Sequence, residues 1–214
     1  MERPLVYLIG YKCPWEKHPM MHFLDGDPSK LEWLEDIGPI TTPLISPTAK
    51  ALAGFRISTT NIPTRLQWIS RNKVPDFEGP PGFICVSSRF KEVVERFEPE
   101  VHQFFPITVV NNAKEKVAER WLWVVCNRID GVDREHTTLV LKKGALWMSN
   151  WLEDGERVRI SDAKLYHSKK QTEGYHFWRD KHLMGGGIYA SDEAAEALLS
   201  LNLAAFAASK LETV

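Results

Sequence analysis

The stretch "GFICVSSRFKEVV" (Gly82–Val94) has an echo later in the chain, "GGIYASDEAAEAL" (Gly186–Leu198). In each stretch a glycine leads into a short apolar run, and a helix-like pattern begins just after a serine. Ser87 and Ser191 occupy the position of an N-cap residue, whose hydroxyl accepts a hydrogen bond from an amide in the first helical turn. The pattern predicts a strand-to-helix unit that the architecture uses twice, rather than a shared functional site.

Several short strands are predicted around these two units. The run "RWLWVVCNRI" (Arg120–Ile129) is apolar on both alternating faces, which indicates a central strand buried on both sides. "TTLVLKK" (Thr137–Lys143) is rich in β-branched residues, and a strand at Val101–Val110 is expected to break at Pro106. The predicted fold class is α+β, with an antiparallel or mixed sheet, few helices and two similar strand–helix units.

The N-terminal third has a different pattern. Ser29, with Glu32 three residues later, predicts a capped helix that ends at Gly38. Prolines recur from Pro39 to Pro81 and forbid long regular elements, so irregular chain with a few short strands is expected there. We expect residues 1–74 to pack as an irregular segment onto the rest, so that residues 1–214 form a single domain.

The composition is that of an ordinary soluble globular protein, with 43% apolar and 26% charged residues. The 27 Lys and Arg residues nearly balance the 28 Asp and Glu residues, for a net charge of -1. Nucleic-acid binding normally requires a basic excess or a basic patch. Nucleic acid is therefore not expected as a partner.

Signals for a membrane or for export are not apparent. No apolar run approaches the ~18 residues of a membrane-spanning helix, and the N-terminal apolar run is too short for a signal peptide. The three cysteines, Cys13, Cys85 and Cys126, form no CxxC pair, and the last two lie in apolar runs typical of buried thiols. We therefore expect a cytoplasmic protein with no membrane partner.

No residue pattern dictates a reaction. His18 and His22 have the spacing of a helical metal pair, but Pro19 lies between them and no further ligand follows. The glycine run Gly185–Gly187 lacks the lysine of a phosphate-binding loop. We therefore predict no catalytic residue, no cofactor and no metal site.

The alternative function is that of a small soluble enzyme. The segment "HFWRDKH" carries His176, Asp180 and His182, which could supply an acid–base pair together with a distant carboxylate. On a strand, however, alternate residues point to opposite faces, so the polar groups of this segment would be divided between them. Charges exposed beside Trp178 would suit a binding surface better.

The tryptophans favour a binding protein. The chain has 8 tryptophans, and two acidic turns, "DGVDRE" and "LEDGE", flank the aromatic-rich segments. An acidic rim around aromatic anchors is an arrangement that captures a basic partner protein. Tryptophans at the seam of a homodimer would be a further use of the same residues. The predicted contact residues are Trp147, Trp151, Asp154, Trp178 and Arg179, with Asp130 and Asp133 at the rim.

Three longer stretches carry a family resemblance: "PDFEGPPGFICVSSRFKEVVERFEPEVHQFFPITV", "RWLWVVCNRIDGVDRE" and "HFWRDKHLMGGGIYASDEAAEALLSLNL". The shared features are the serine-capped helix followed by "FEP" and "FFP", the "N-x-I-D" ending of the next strand, and a late strand before a second helix. On these features the sequence resembles immunity protein family eleven, a bacterial family encoded beside polymorphic toxins. The resemblance covers mainly Pro75–Leu203.

The resemblance implies a non-enzymatic protein that binds and neutralises a cognate toxin by occluding the toxin's active surface. It implies a toxin encoded by a neighbouring gene, and it carries over no catalytic residue and no cofactor.

Overall fold

A computed structural model describes residues 6–12, 21–35, 46–70, 72–142, 144–149, 164–183 and 187–214. The described strands are β1 (Val6–Tyr11), β2 (Met21–Phe23), β3 (Arg65–Trp68), β4 (Phe77–Glu78), β5 (Ile84–Val86), β6 (Gln103–Val110), β7 (Lys116–Val124), β8 (Arg128–Ile129), β9 (Leu139–Lys142), β10 (Leu146–Ser149), β11 (Phe177–Asp180), β12 (Ile188–Ser191) and β13 (Phe206–Leu211). The helices are α1 (Ser88–Phe97), α2 (Lys169–Thr172) and α3 (Asp192–Leu199), with short 3-10 helices at Pro28–Lys30 and Pro47–Leu52. Mixed sheets with few helices confirm the predicted α+β class.

Six strands form a mixed sheet in the order β2-β3-β6-β7-β5-β4, in which β3 and β6 run parallel. The residues of β7 alternate between its two faces: Trp121 and Trp123 pack on one side, and Leu122 and Val124 pack on the other. The end of this strand, Leu122–Val124, is buried on both faces, as predicted, whereas its first residues are mostly exposed and it ends at Val124 rather than at Ile129.

Five strands form a second sheet in the order β13-β1-β12-β11-β8, while β9 and β10 form a separate hairpin. Neighbours in the five-stranded sheet are antiparallel, except for the parallel pair β11 and β8. Beyond the strands, Val132 bridges His167, and His167 bridges Thr213. Because Val132 follows β8 and Thr213 follows β13, the two edges of this sheet are joined at one end through His167.

The sheets differ in how their faces are covered. One face of each sheet, together with α1 and α3, forms a central core in which the rings of Trp123 and Phe177 have centroids 5.8 Å apart. The other face of the six-stranded sheet packs a second core that includes Leu31 and Ile57 from the N-terminal segment. The other face of the five-stranded sheet carries a small buried cluster. Its members are Val6, Trp178 and Tyr189.

Both predicted strand–helix units are present. Ser87 follows β5 and accepts a hydrogen bond from Phe90 N, and Ser191 ends β12 and accepts one from Ala194 N. Both serines are therefore N-caps. The capped helices, α1 and α3, contact each other within the central core.

The predicted helix from Ser29 to Gly38 is wrong over the part of it that the structure describes. Asp27, rather than Ser29, caps a single 3-10 turn at Pro28–Lys30, because its carboxylate accepts hydrogen bonds from the amide and the hydroxyl of Ser29. The chain then becomes extended at Leu31, which is fully buried in the second core. Burial of this leucine overrides the local helical signal.

The predicted break at Pro106 is also wrong, since β6 continues through it. Thr108 N donates towards β3, to Thr64 O at 2.9 Å, so the nitrogen of Pro106 two residues earlier faces the same side. Pairing with β3 begins at Thr108. The proline therefore lies where no ladder hydrogen bond is needed, which is where strands tolerate proline.

The sequence pattern gives no sign of β13, because the alanines of this segment favour a helix. Positive φ angles at Asn202 (48°) and Ala205 (63°) turn the chain after α3. Pairing with β1 then fixes Phe206–Leu211 as a strand. The last strand is thus set by a partner at the other end of the chain.

Candidate functional site

Three of the five predicted contact residues that the structure describes lie inside the protein. Trp178 is 1% exposed, Trp147 is 7% exposed and Arg179 is 8% exposed. Trp151 and Asp154 lie outside the described residues. The expectation that the "HFWRDKH" segment exposes its charges is wrong for Arg179 and Asp180, because β11 is buried along its whole length, whereas Lys181 after it keeps 39% of its side chain exposed.

Trp178 is held on the outer face of the five-stranded sheet. Its indole ring stacks on Tyr189 and meets His167 edge-on, with centroid distances of 6.2 Å in both cases. Gly131 lies directly beside it, since a Cβ at that position would stand 3.3 Å from the indole Nε1. The tryptophan is therefore packed against the face of the sheet rather than exposed to a partner.

Arg179 and Trp147 are also fixed within the fold. Arg179 lies two residues after Phe177, on the face of β11 that meets the central core. Burial lowers the pKa of its guanidinium to about 10. Trp147 N donates to His182 O at 3.0 Å, which holds β10 beside the end of β11.

Asp130 and Asp133 are the predicted contacts that keep partial exposure, with 17% and 19% of their side chains exposed. Both are engaged within the chain: Asp130 pairs with Arg134, and Asp133 is 2.8 Å from His136 Nδ1. Burial alone would raise the pKa of Asp133, but hydrogen bonds from His136 and from the amide of Glu135 lower it. The acidic turn therefore presents carboxylates that already have partners.

The side chains of the three residues of the alternative enzymatic site face different groups, although the amide of His182 donates to Asp180 and its Nε2 lies 3.6 Å from Asp130. His176 Nδ1 is 2.9 Å from Ser191 Oγ, whereas His182 Nδ1 is 3.1 Å from Ala145 O. Asp180 accepts hydrogen bonds from three backbone amides, and burial nevertheless raises its pKa. Of the three, His176 lines the cavity described below and the other two do not.

A buried pair that sequence reasoning missed, Glu98 and His102, joins the two sheets. Glu98 is the C-cap of α1, and its carboxylate accepts hydrogen bonds from Asn127 Nδ2 (2.8 Å) and from the amides of His176 (2.8 Å) and Phe177 (3.0 Å). Four positions later, His102 Nε2 lies 2.7 Å from the same carboxylate. The i, i+4 rule could not have found this pair, because it applies within a helix and α1 ends at Phe97.

The hydrogen bonds assign the tautomer of His102. Its Nδ1 accepts a hydrogen bond from Cys126 N at 3.0 Å, so Nε2 carries the proton and donates to Glu98. The pair therefore binds the end of α1 to the chain after β7 and to the start of β11. This network has a structural role.

The described residues provide no evident reactive group at the cysteines and no metal centre. Burial raises the pKa of the Cys85 thiol to about 12 and that of Cys126 to about 11, so both thiols are protonated at neutral pH. Within the described ranges, no group of three or more His, Cys, Asp and Glu side chains could hold a metal ion.

A cavity of ≈ 600 Å³ opens at the end of the five-stranded sheet next to His176. Val6, Thr172 and Trp178, all buried, are the inner lining residues. Tyr175 is the exposed aromatic side chain of the rim, with 38% of its surface accessible. The rim also has charges of both signs. They are Lys169, Lys170, Glu173, Asp192 and Glu193.

α3 begins at the wall of this cavity. Its N-cap, Ser191, accepts a hydrogen bond from Ala194 N, and its hydroxyl oxygen also lies 2.9 Å from His176 Nδ1. Asp192 and Glu193 lie in the first turn, where negative charge complements the positive end of the helix dipole. The rim of the cavity therefore has charges of both signs.

His167 closes the sheet beside the cavity-lining residues of α2. Its imidazole is fully buried against Tyr189, with ring centroids 4.4 Å apart. Within the described part of the chain, neither ring nitrogen has a hydrogen-bond partner of good geometry, although the backbone of Gly131 favours the charged ring. Burial lowers the pKa of His167 to about 4, so the ring is neutral at neutral pH.

A comparison with protein families identifies the chain. The family model for the immunity protein family (Imm11) matches residues 44–212, which is more than half of the 214 residues. The chain belongs to the Imm11 immunity protein family. The match confirms the predicted resemblance and extends it towards the N-terminus, so that the Imm11 region also includes β3 and part of the second core.

A search of curated proteins gives no match.

Of the helices in the described ranges, none has the length and apolar character that crossing a membrane requires.

Proposed function

We propose that this Imm11 protein neutralises a cognate bacterial toxin by binding it directly and occluding its active surface. The observation that carries the proposal is the family match over residues 44–212. The protein acts by binding rather than by catalysis, in keeping with the different side-chain partners of His176 and His182. We further propose that a neighbouring gene encodes the toxin and that the two proteins meet in the cytoplasm of the producing cell.

We propose a single toxin-binding surface, the α2 face, made of the 130–136 turn, α2 and Tyr175. Ser168 N donates to Gly131 O at 2.9 Å, which brings the start of α2 beside the acidic turn. α2 and Tyr175 line the cavity. The α2 face thus combines an exposed aromatic side chain, a concave region and charges of both signs, which are typical components of protein interfaces.

The predicted contact residues enter this proposal according to their exposure. Asp130 and Asp133 lie at one side of the α2 face and remain proposed contacts. Trp147, Trp178 and Arg179 are assigned supporting positions, since side chains with 8% exposure or less offer little area to a partner. Trp151 and Asp154, which lie outside the described residues, also remain proposed contacts.

The test is titration calorimetry of the full chain with the purified product of the neighbouring toxin gene. Tyr175→Ala is expected to raise Kd by about tenfold or more, because truncating a central interface aromatic often costs ~1–2 kcal/mol and 1.4 kcal/mol is a factor of ten. The matched control is Val117→Ala on β7, whose side chain is 46% exposed on the other sheet. The control is expected to leave Kd unchanged.

Two results would change this proposal in different ways. Absence of a tight, stoichiometric complex between the unmodified chain and the toxin would overturn the proposed function. Tight binding that is weakened by Val117→Ala and not by Tyr175→Ala would keep the function and move the interface to the six-stranded sheet.

A further inference from the structure

β13 is the edge strand of the five-stranded sheet and pairs with β1. Lys12 N donates to Ala205 O at 2.9 Å, and these residues continue the register in which Tyr11 is opposite Phe206. Hydrogen-bonded pairs alternate along an antiparallel ladder, so every second residue from Ala205 onward bonds to β1. The backbone groups of the intervening residues point away from the sheet. These outward-facing residues are Phe206, Ala208 and Lys210.

The outward edge of β13 is closed at both ends. Beyond the strand, Glu212 O accepts a hydrogen bond from His167 N at 3.2 Å, so residues 167–169 already occupy the edge there. Before the strand, Phe206 N donates to Leu203 O at 3.4 Å, within the turn that follows α3. An incoming strand can therefore pair only with the stretch between these two points.

The groups between these ends are available for pairing. Within the described chain, the outward amides and carbonyls of Ala208 and Lys210 have no hydrogen-bond partner. Edge strands are usually protected by a charge, a proline or a bulge. The β1–β13 register is regular, and Lys210 Nζ lies 5.6 Å from the centroid of the Tyr7 ring, over the face of the sheet.

We propose that this edge pairs antiparallel with the same edge of a second copy of the chain, about a two-fold axis at Ala208. Outward residues must pair with outward residues, so Ala208 faces Ala208 of the second copy and Phe206 faces Lys210. The five strands of each copy then form one continuous sheet. The contact is isologous, since each copy contributes the same residues.

The ends of the open stretch determine this register and favour a second copy as the partner. The open stretch is bounded at residues 206 and 210 in every copy, so two copies related by a two-fold axis at Ala208 pair over its full length and neither meets a closed end. Sliding the pair by two residues in one direction would oppose Phe206 to Glu212, where residues 167–169 already bind. Sliding it in the other direction would require pairing at position 204, inside the turn. In the proposed register, Lys210 faces a phenylalanine rather than another lysine.

The inference goes beyond the proposed function and does not depend on it. Sedimentation velocity across a dilution series tests it, and the full chain is expected to approach twice its monomer mass of 24.5 kDa. Ala208→Pro removes the outward N–H and leaves the bonds to β1, because proline is tolerated where an edge N–H faces solvent. This variant is expected to sediment as a monomer with an unchanged melting temperature.

A cysteine variant tests the same geometry without disturbing the strand. The Cα atoms of a hydrogen-bonded antiparallel pair lie about 5.5 Å apart, which is within the range that a disulfide spans. Ala208→Cys is therefore expected to give a covalent dimer under mild oxidation, as seen on a non-reducing gel. The matched control, Ser209→Cys, faces Ala207 of the second copy and is expected to stay uncrosslinked above the background of the unmodified chain.

Three outcomes would overturn the inference. The first is a monomeric mass for the unmodified chain at every concentration. The second is a dimer that persists in Ala208→Pro and gives no cross-link at position 208. The third is a chain that is monomeric alone and loses toxin binding in Ala208→Pro, which would assign the edge to a strand of the toxin. A dimer that fails to bind toxin would instead count only against the proposed function.

Discussion

The two strand–helix units place the same local structure in unlike surroundings. β5 with α1 and β12 with α3 each use a serine N-cap and contribute to the central core. The sheet that contains β5 is covered on its second face by a large apolar core. Among the described residues, the sheet that contains β12 has on its second face only three buried apolar residues, beside the cavity. The difference indicates that the segments packed around a strand–helix unit, rather than the sequence of the unit, decide whether the second face of its sheet is covered by a core.

The two buried imidazoles make the same contrast. His102 has a partner for each ring nitrogen, Cys126 N for one and Glu98 for the other. His167, on the second face of the five-stranded sheet, has none of good geometry within the described residues. The well-bonded histidine therefore stabilises a junction, whereas the second is held by burial and by its backbone bridges.

The largest expected effect compares a tryptophan from each sheet. Trp123→Ala is expected to lower the free energy of unfolding by ~3–5 kcal/mol, because the ring is fully buried between Phe90, Phe104 and Phe177. Trp178→Ala is expected to cost less, because it enlarges a cavity that already opens to solvent. Urea unfolding of both variants measures the difference, and equal losses would contradict the contrast between the sheets.

The next effect is a pH dependence from His167. Burial lowers the pKa of this histidine from 6.5 to about 4 in the folded state. Above pH 6.5 the ring is neutral in both states, but as the pH falls towards 4 the unfolded chain gains a proton that the folded chain does not. The free energy of unfolding should therefore fall by about 3 kcal/mol over this range.

The control for this prediction is His167→Leu, which removes the titrating group. Its unfolding free energy, measured by urea titration at several pH values, should depend less steeply on pH between 6.5 and 4 than that of the unmodified chain. Identical slopes in the two proteins would show that His167 is not the group responsible.

A smaller effect compares the two caps directly. Ser87→Ala and Ser191→Ala are each expected to cost about 1 kcal/mol, the usual contribution of a serine N-cap. The loss at Ser191 should be the larger, because its hydroxyl also bonds to His176 Nδ1. Thermal unfolding of the two variants gives the order, and a larger loss at Ser87 would weaken the argument from His176.

The smallest effect concerns the exposed residues used to test binding. Tyr175→Ala and Val117→Ala should each change the free energy of unfolding by no more than about 0.5 kcal/mol, because both side chains are exposed and lie outside the cores. Chemical denaturation checks this. A large loss for Tyr175→Ala would mean that its effect on toxin binding reports folding rather than contact.

Some of the site could be predicted from the sequence and some could not. The missing catalytic pattern, the aromatic content and the family motifs all favoured a binding protein, and the family match confirms the immunity assignment. The contact residues were chosen for their chemistry, but Trp178 and Arg179 lie on a strand that neighbouring strands and the central core cover. Burial of this kind depends on residues distant in sequence, so local pattern did not reveal it.

By itself, the sequence determined the elements whose signals are local. Ser87 and Ser191 cap helices through hydrogen bonds three residues away, and the alternating apolar residues at the end of β7 are buried on both faces. Only the tertiary structure decided the strand character of β13 and the closure of the sheet through His167. Both depend on backbone hydrogen bonds to distant segments, and such bonds place little demand on the local side chains. Side-chain patterns therefore specify the units, and backbone pairing across the chain specifies the surfaces that those units leave open.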